Sequence, residues 1–294
     1  MTAARVVVVG DVCTDVVVLL AGEPAPGSDR PASIGTAGGG AGANVAAHLA
    51  ALGTPVVLAG CVGDDLPGQA LRTELAAGGV TLALRTVPGT PTGTIVSLVE
   101  PGGERSMLAD RGANLALRPA DVPDPVPGGH LHLSGYTLLD AAPRAAGLAA
   151  LTRARDAGCT ISIDPASTGP LRAYGVDRWL ADTAAATVVL PNADEARLLT
   201  GCADPATAAR ALTGRHPVVV VTLGAEGALW ASGGVLVHRP AHPTTVVDTT
   251  GAGDAFTAGV LTTWVAAGGQ PDPATALDAG LARAAAVVAR PGAR

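Results

Sequence analysis

The chain has 294 residues and a formal net charge of −6, and because it contains no lysine, all 19 of its basic side chains are arginine. The acidic balance argues against a nucleic-acid surface, since phosphate neutralisation needs clustered cationic side chains. The missing lysine excludes a P-loop NTPase and a protein kinase, which both place a lysine on nucleotide phosphates. Hydrophobic residues make up 48% of the chain, enough to bury the core of an enzyme-sized fold.

The pattern of apolar residues predicts a cytoplasmic protein without membrane contact. Runs such as 5–9 and 218–223 are too short to cross a bilayer, and the chain does not open on a signal-peptide pattern. The cysteines form neither a CxxC pair nor a Cys/His cluster, which predicts reduced thiols. They are Cys13, Cys61, Cys159 and Cys202.

Short apolar runs rich in β-branched residues recur along the chain and predict strands. In chain order they are RVVVVG, PVVLAGCVG, TGTIVSLVE, GHLHLSG, CTISIDP, ATVVLPN, PVVVVTLG and GALWAS. Between most of them lie stretches with helical spacing, at 43–52, 68–77, 141–156 and 194–199. The alternation predicts an α/β fold with a largely parallel sheet covered by helices on both faces.

Two segments lack an intervening helix. Residues 16–34 are punctuated by glycine and proline, and residues 92–114 contain a PGGE turn at 101–104. Both are typical of strands and hairpins, so we expect a small β appendage on the α/β body. The proline-rich patch at 119–127 is interpreted as a surface crossing, and we expect a single domain.

The strongest local signal is VVDTTGAGDAF at 246–256, where a strand end runs into a glycine-rich turn and then a helical pattern. Glycines let backbone N–H groups approach a ligand, and a helix N-terminus adds partial positive charge, so this turn predicts an anion site. Asp254 stands at the start of the helix. It either caps the helix or accepts a proton from a substrate hydroxyl, and the motif alone favours the cap.

A second glycine-rich stretch, GGGAGAN at 38–44, precedes another helical pattern and follows the strand end GDVCTD. Polar strand ends at one edge of an open α/β sheet form a ligand crevice. A dinucleotide-binding fingerprint would directly follow the first strand, which leads instead to Asp11 and Asp15. The glycines serve either close helix packing or a ligand, and Asn44 favours a ligand because a hydroxylated substrate needs a directional donor and acceptor.

Two further strand ends carry weaker signals. LPNADEARLLTG places Asn192 before a helix and Glu195 one turn into it, where the pair suits either a hydrated magnesium ion or a capping box. The pair alone favours the capping box. TLGAEG at 222–227 closes a strand with glycines and by itself predicts a turn into a hairpin. The histidines have neither a third metal ligand nor a serine partner, so we interpret them as structural or exposed.

Taken in chain order, these segments resemble the ribokinase-like (PfkB) family of carbohydrate kinases. The resemblance spans nearly the whole chain, and DTTGAGDAF is the more specific of the two signature regions. The other segments that carry it are GDVCTD, GGGAGAN, CVGDDLPG, TGTIVSLVEPGGERSMLADRGAN, HLSGY, ISIDP, LPNADEARLLTG and VVVTLGAEGALW. A collinear series of this kind arises by chance far less often than one motif.

The resemblance implies one domain over residues 1–294, folded as a three-layer α/β/α sandwich with a mostly parallel central sheet. It also implies a small β lid formed from about 12–37 and 90–113. The implied phosphoryl donor is ATP with Mg²⁺, and the implied acceptor is a hydroxyl, in general a primary alcohol, of a small sugar or sugar derivative.

The resemblance also implies roles for individual residues. Asp254 corresponds to the catalytic base, and the backbone of Gly251, Ala252 and Gly253 corresponds to an anion hole for the developing phosphate charge. The residues that correspond to substrate-hydroxyl contacts are Asp15, Gly39, Gly40, Asn44 and Asp254, and those that correspond to nucleotide contacts are Asn192, Thr222, Gly224 and Gly227. Asn192 and Glu195 correspond to the residues that bind magnesium through water. Asp248 and Thr250 correspond to the site of a monovalent cation, usually K⁺.

Three departures from the family pattern affect these expectations. Ala41 replaces the lysine that ribokinases carry inside GGKGAN, so strict ribose specificity is not expected. Leu281 stands where a polar nucleotide contact is expected. The chain ends at Arg294, so part of the loop around a monovalent ion is expected to be missing, and activation by K⁺ is left as a hypothesis.

Two rival functions share the fold. A nucleoside kinase needs aromatic surfaces for the base, and only Tyr136 and Phe256 lie near site segments, so a sugar is favoured. A non-catalytic sugar-binding relative is disfavoured by the intact Asp254 and its glycines. Arg105 is either a contact to an anionic group on the substrate or a solvated hairpin charge. The sequence leaves open which sugar and hydroxyl react and whether two lids pair into a homodimer.

Overall fold

The computed structural model describes residues 6–22, 27–100, 105–290 and 292–294. Its strands are β1 (Val6–Val9), β2 (Cys13–Leu20), β3 (Ala32–Gly39), β4 (Val56–Gly63), β5 (Thr81–Val87), β6 (Gly93–Val99), β7 (Arg105–Asp110), β8 (His130–Ser134), β9 (Thr160–Asp164), β10 (Val188–Val189), β11 (Val218–Thr222), β12 (Ala228–Ser232) and β13 (Val235–Arg239). Its helices are α1 (Ala41–Ala51), α2 (Leu66–Ala77), α3 (Tyr136–Leu139), α4 (Ala141–Asp156), α5 (Thr168–Tyr174), α6 (Val176–Asp182), α7 (Ala193–Thr200), α8 (Pro205–Leu212), α9 (Ala252–Ala266) and α10 (Pro273–Val288).

The large sheet has nine strands in the order β13-β12-β11-β10-β9-β8-β1-β4-β5. In this order, the seven strands β11, β10, β9, β8, β1, β4 and β5 are all parallel to one another. At the other end of the sheet, β12 pairs in antiparallel fashion with both β11 and β13. The predicted mostly parallel central sheet is therefore confirmed.

The valine run of β1 explains why helices cover both faces of this sheet. Side chains alternate along a strand, so Val7 and Val9 pack on one side while Val6 and Val8 pack on the other. The first side is covered by α4 to α8, and the second by α1, α2, α9 and α10. These layers form the predicted α/β/α sandwich.

A small four-stranded sheet has the order β3-β2-β6-β7 and is built from the two segments that were expected to lack helices. Its strands lie within 13–39 and 93–110, close to the expected lid bounds of about 12–37 and 90–113. Asp15, Ile95 and Met107 on one face of this sheet line a cavity. Arg105 begins β7 opposite Val99. The side chain of Arg105 and the PGGE turn at 101–104 lie outside the described residues.

The carboxyl ends of the parallel strands meet at one edge of the large sheet, where ligands bind in open α/β folds. Strand β1 leads into Asp11, β8 leads into Tyr136, β9 ends at Asp164 and β11 ends at Thr222. Asn192 joins this edge through a parallel bridge to Thr222. Within the described ranges, no helix has the length and apolar character needed to cross a membrane.

Candidate active site

The first turn of α9 separates two cavities at this edge of the sheet. Gly251 and Asp254 line a smaller cavity of about 220 Å³. Ala252 and Gly253 line a larger cavity of about 510 Å³. The turn predicted to be catalytic therefore separates the two cavities. Ligands bound in the two cavities could come into contact at the N-terminus of α9.

The smaller cavity lies between the small sheet and the body. Its walls are mostly apolar, with carboxylates and one guanidinium among them. The lining residues are Asp11, Cys13, Asp15, Gly40, Ala41, Asn44, Ile95, Met107, Ala109, Arg111, Tyr136, Thr250, Gly251 and Asp254. Of the residues predicted to contact substrate, Asp15, Gly40, Asn44 and Asp254 belong to this set, and Gly39 lies directly beside Asp15.

Asn44 holds the carboxylate of Asp254 in this cavity. Asn44 is buried on α1, and its Nδ2 atom donates a hydrogen bond of 2.8 Å to Oδ2 of Asp254 on α9. The Oδ1 atom of Asn44 is buried and has no hydrogen-bond partner among the described residues. Because buried polar atoms are nearly always paired, this oxygen indicates a place for the hydroxyl of a ligand or for a water molecule.

Burial raises the pKa of Asp254 to about 7. The hydrogen bond from Asn44 favours the charged form and opposes this rise, whereas the nearby carboxylates of Asp164 and Asp15 add to it. Part of the Asp254 surface still opens into the cavity, where the residue is half-buried. A carboxylate with this pKa can take up a proton near neutral pH.

Asp15 lies across the cavity against a glycine turn. Burial raises its pKa to about 6, with Arg294 lowering it and Asp248 raising it. A Cβ atom on Gly39 would lie 2.1 Å from Oδ1 of Asp15, so only glycine leaves room for the carboxylate there. Gly40 follows with φ of 92° and precedes α1, which allows the chain to turn from β3 into the helix.

The N-terminus of α9 is open to ligands. Gly251 is the N-cap residue with φ of 74°, and no described side chain makes a capping hydrogen bond there. The alternative in which Asp254 caps the helix is therefore wrong, because the Asp254 carboxylate pairs with Asn44 instead. Among the described residues, the N–H groups of Gly251 and Gly253 have no partner, whereas that of Ala252 makes a long hydrogen bond of 3.3 Å to the carbonyl oxygen of Thr249. Free N–H groups and the helix dipole at this turn suit an anion.

The larger cavity brings together three of the four residues predicted to contact the nucleotide, and Asn192 is the one that does not line it. Thr222, Gly224 and Gly227 line it as expected, together with Phe256 and Leu281. Leu281 is nearly fully buried among the side chains of α9 and α10, so this position makes an apolar contact. His242 is exposed, as predicted for the histidines, yet it also lines this cavity. Because His242 belongs to none of the sequence motifs, the sequence could not link it to the site.

Asn192 and Glu195 form the capping box that the sequence offered as one alternative. The Oδ1 atom of Asn192 accepts from the backbone N–H of Glu195 at 2.9 Å, and Oε2 of Glu195 accepts from the backbone N–H of Asn192 at 2.9 Å. Burial raises the pKa of Glu195 to about 7. Neither residue lines the two cavities, although the bridge from Asn192 to Thr222 sets the pair beside the larger one.

The predicted monovalent-cation residues lie in the loop before α9. Oδ1 of Asp248 accepts from the backbone N–H of Thr250 at 2.8 Å, and Oδ2 accepts from the backbone N–H of Gly292 at 3.0 Å. Thr250 also lines the smaller cavity. The segment after α10 therefore returns to this loop, although part of it was expected to be missing.

Arg111 is a cavity residue that was not singled out from sequence. Its Nε and Nη2 atoms donate to the two carboxylate oxygens of Asp11 at 2.9 and 2.7 Å, and its Nη1 pairs with Asp140. The guanidinium also lies over the ring of Tyr136. Asp11 leads into β2 and Arg111 follows β7, so the pair joins the first and the last of the four points where the chain crosses between body and small sheet.

Arg294 is a second residue that was missed. It donates to the carbonyl oxygens of Gly38 and Gly39, each at 3.2 Å, and its side chain is largely buried. Its charge lowers the pKa of Asp15 and opposes the rise at Asp254. These contacts join positions about 250 residues apart, and no local pattern signals them.

Comparison with known proteins gives a consistent result. The sequence model of the pfkB family carbohydrate kinases matches residues 3–294. A fructokinase of Klebsiella pneumoniae is 35% identical over 256 residues, which cover 84% of this chain and 82% of that protein. An ATP-dependent ribose-1-phosphate kinase of Halopiger xanaduensis is 35% identical over 276 residues, with coverage of 92% and 87%.

The fold has a solved counterpart. Aminoimidazole riboside kinase from Salmonella enterica, crystallised with aminoimidazole riboside and an ATP analogue, superimposes with a TM-score of 0.85. The superposition covers 98% of this chain and 94% of that one, at 29% sequence identity. The similarity therefore extends over the body and the small sheet together.

Proposed function

The chain belongs to the pfkB family of carbohydrate kinases and is an ATP-dependent sugar or nucleoside kinase; we propose that it phosphorylates a hydroxyl of a small sugar, with Asp254 as the catalytic base. One observation carries the proposal. Asp254 lines the smaller cavity at the turn whose neighbouring residues line the larger one. A sugar in the first cavity and the γ-phosphate of ATP from the second would meet beside this carboxylate.

Proton removal is the first task of the site. The hydroxyl that attacks the γ-phosphorus must lose its proton, and a base with a pKa near the working pH serves this best. The pKa of about 7 at Asp254 meets that requirement. Asn44 orients the carboxylate through Oδ2, which leaves Oδ1 of Asp254 for the substrate hydroxyl. Asp15, Gly39, Gly40 and Asn44 are the proposed contacts to the other hydroxyls.

Charge stabilisation is the second task. Negative charge on the phosphoryl oxygens has to be met by donors that are already oriented. The backbone N–H groups of Gly251, Ala252 and Gly253 stand at the uncapped N-terminus of α9, between the two cavities. This arrangement supports their role as the anion hole. In the absence of lysine, backbone groups take the role that a cationic side chain has in other kinases.

Magnesium is proposed beside Asp164 and Glu195, held through water, because no cluster of three acidic, histidine or cysteine side chains that could hold an ion directly occurs among the described residues. Asp164 raises the pKa of both Glu195 and Asp254, which burial has already raised. Carboxylates that repel one another in this way are donors that a divalent cation stabilises. We place a hydrated Mg²⁺ on Glu195 and Asn192 through water, where it would neutralise phosphate charge. The placement of K⁺ beside Asp248 and Thr250 stays a prediction.

The small sheet is proposed to act as a lid. Ile95, Met107 and Ala109 from this sheet line the smaller cavity opposite Asp254. Apolar side chains over a reacting hydroxyl exclude water, which would otherwise take the phosphoryl group. The pairing of Arg111 with Asp11 ties together two of the four chain crossings about which such a lid would move.

A sugar is favoured over a nucleoside by the cavity walls. Tyr136 is the aromatic residue among those lining the smaller cavity, and its ring already carries the guanidinium of Arg111 on one face. A nucleoside base needs an aromatic or broad apolar surface for stacking. A non-catalytic role is disfavoured, because Asp254 and the uncapped turn that would face a phosphate are both intact.

We also propose that two copies pair through the outer face of the small sheet. The residues on that face are Val16, Val18, Ile34, Val96 and Leu108. They point away from the cavity, because the strand register places Asp15 and Ile95, which line the cavity, on the other face of the sheet. Ile34 and Leu108 are 66% and 59% exposed. A contiguous exposed apolar face on a sheet is typical of an interface.

The proposal is tested by release of ADP from Mg·ATP in the presence of pentoses, hexoses, sugar acids, ribose 1-phosphate and nucleosides. We expect release to depend on an added acceptor and to be fastest with a small sugar. Release with nucleosides alone would contradict the sugar assignment while leaving the kinase assignment intact.

A further inference from the structure

A row of buried and half-buried polar side chains lies under α9 and ends at the active-site edge. His130 and His132 on β8 stand beside Thr160 and Ser162 on β9, and Asp164 closes the row at the end of β9. His132 and Ser162 are fully buried. The ring of His130 packs against Trp264 of α9, the helix whose first turn carries Asp254.

The fold itself does not require this row. Val6 and Val8 of β1 are the register partners of His130 and His132 on one side, and Val188 of β10 pairs with Ser162 on the other. The neighbouring strands therefore fill the same layer with valine. A buried polar group costs free energy unless it is paired, so polar residues flanked by valine on both sides indicate a purpose other than packing.

The row is a continuous chain of contacts. The indole N–H of Trp264 donates to Oγ1 of Thr160 at 3.1 Å. Oγ1 of Thr160 lies 2.8 Å from Nδ1 of His130, and Nε2 of His130 lies 2.8 Å from Oγ of Ser162. That hydroxyl lies 2.9 Å from Nδ1 of His132, whose Nε2 lies 3.5 Å from Oδ2 of Asp164.

The direction of the chain follows from its two ends. An indole N–H can only donate, and a carboxylate can only accept. Burial lowers the pKa of His130 to about 3, so its ring is neutral and carries one N–H. One arrangement gives each donor an acceptor: Thr160 donates to Nδ1 of His130, and Ser162 donates to Nδ1 of His132. Nε2–H of His132 then points at Asp164.

The last contact is longer than an ordinary hydrogen bond, and Nε2 of His132 has no other partner among the described residues. The buried N–H therefore depends on the carboxylate of Asp164. Asp164 in turn acts on the site, since its charge contributes to the raised pKa of Asp254 on α9, Glu195 on α7 and Tyr136 on α3.

We infer that this row positions the carboxylate of Asp164 at the phosphoryl-transfer site, with Ser162 and His132 as positioning residues. The inference rests on the proposed function, because it assigns the row a part in the same reaction. Asp164 ends β9 at the active-site edge of the sheet, and its charge acts on both Asp254 and Glu195. The sugar contacts lie in the smaller cavity, which the row does not line.

The test is a double-mutant cycle between Ser162→Ala and Asp164→Asn. The Ser162 change removes the hydroxyl between the two histidines, and we expect kcat to fall about three- to tenfold with the KM for sugar unchanged. In the Asp164→Asn background, the same change is expected to cause no further fall. Thr183→Val is the matched control, because it removes an equally buried hydroxyl, bonded to the carbonyl oxygen of Trp179, and should keep the wild-type kcat.

Equal losses from Ser162→Ala in both backgrounds would overturn the inference, as would equal kcat values for Ser162→Ala and Thr183→Val. If Ser162→Ala does not fold, Thr160→Val breaks the chain at a half-buried position and takes its place in the cycle. An inactive wild-type protein would overturn the proposed function and this inference together. An active wild type with additive losses would overturn the inference alone.

Discussion

Asn44 and Asp254 lie 210 positions apart in the chain and are joined by a hydrogen bond of 2.8 Å between Nδ2 and Oδ2. The bond connects the helix that follows GGGAGAN to the helix that follows DTTGAG. It brings the two glycine-rich signatures into one site, and it is one of the interactions that oppose the raised pKa of Asp254.

Replacing Asn44 should move the acidic limb of the pH profile upward. Asp254 has to be charged to act as a base, so activity falls as the pH drops through its pKa. The Asn44 amide favours the charged form, and Asn44→Ala should therefore raise the pKa by about 0.5–1 unit. The measurement is kcat/KM for sugar against pH in both proteins. A midpoint that stays in place or moves to lower pH would contradict this role.

Gly251→Ala should destabilise the fold. Gly251 has φ of 74°, and a Cβ atom there would lie 2.6 Å from Cβ of Ala293. We expect a loss of about 2 kcal/mol in the free energy of unfolding. Gly169→Ala is the matched control, because its Cβ would meet nothing within 4 Å and its φ is not positive. The measurement is urea unfolding of both variants. Equal free energies of unfolding for Gly251→Ala and Gly169→Ala would contradict the close packing of this turn.

Gly253→Ala should separate nucleotide binding from stability. A Cβ atom at Gly253 would meet nothing within 4 Å and would project where the turn lines the larger cavity. We expect the free energy of unfolding to stay level or rise by up to about 1 kcal/mol, because alanine is the better helix former. We expect the KM for ATP to rise about tenfold, since the methyl group obstructs the approach of phosphate to the backbone. Initial-rate kinetics at saturating sugar measure this. An unchanged KM for ATP would remove Gly253 from the proposed anion hole.

Ile34→Glu should prevent pairing of the small sheets. Ile34 is exposed on the apolar outer face, on the edge strand β3, and a glutamate buried there by pairing would lack a partner. Sedimentation velocity should give a dimer for the wild type and a monomer for the variant. Ser33→Glu, at the next position of β3 and on the opposite face, is the control that should remain dimeric. A monomeric wild type would contradict the proposed interface.

The sequence predicted those parts of the molecule that are encoded locally. The valine runs predicted the parallel strands because alternating burial leaves a direct trace in consecutive residues. Asp254 and its glycines stood out for the same reason. Whether Asp254 caps its helix could not be decided, because the answer depends on Asn44, 210 positions away.

Other contacts have no local trace at all. Arg111 reaches Asp11 across 100 positions, and Arg294 reaches Gly39 across 255. The two histidines of β8 were interpreted as structural or exposed because nothing near them in sequence supplies a partner. Their partners, Thr160 and Ser162, come from the next strand of the sheet and are defined only by the register.

The most direct test of the account is the turnover of Asp254→Asn compared with its affinity for sugar. The change keeps the shape of the side chain and removes its ability to take up a proton. We predict that kcat falls by about 10²–10⁴-fold while titration calorimetry still detects sugar binding close to that of the wild type. Turnover close to that of the wild type in this variant would contradict the assignment of Asp254 as the catalytic base.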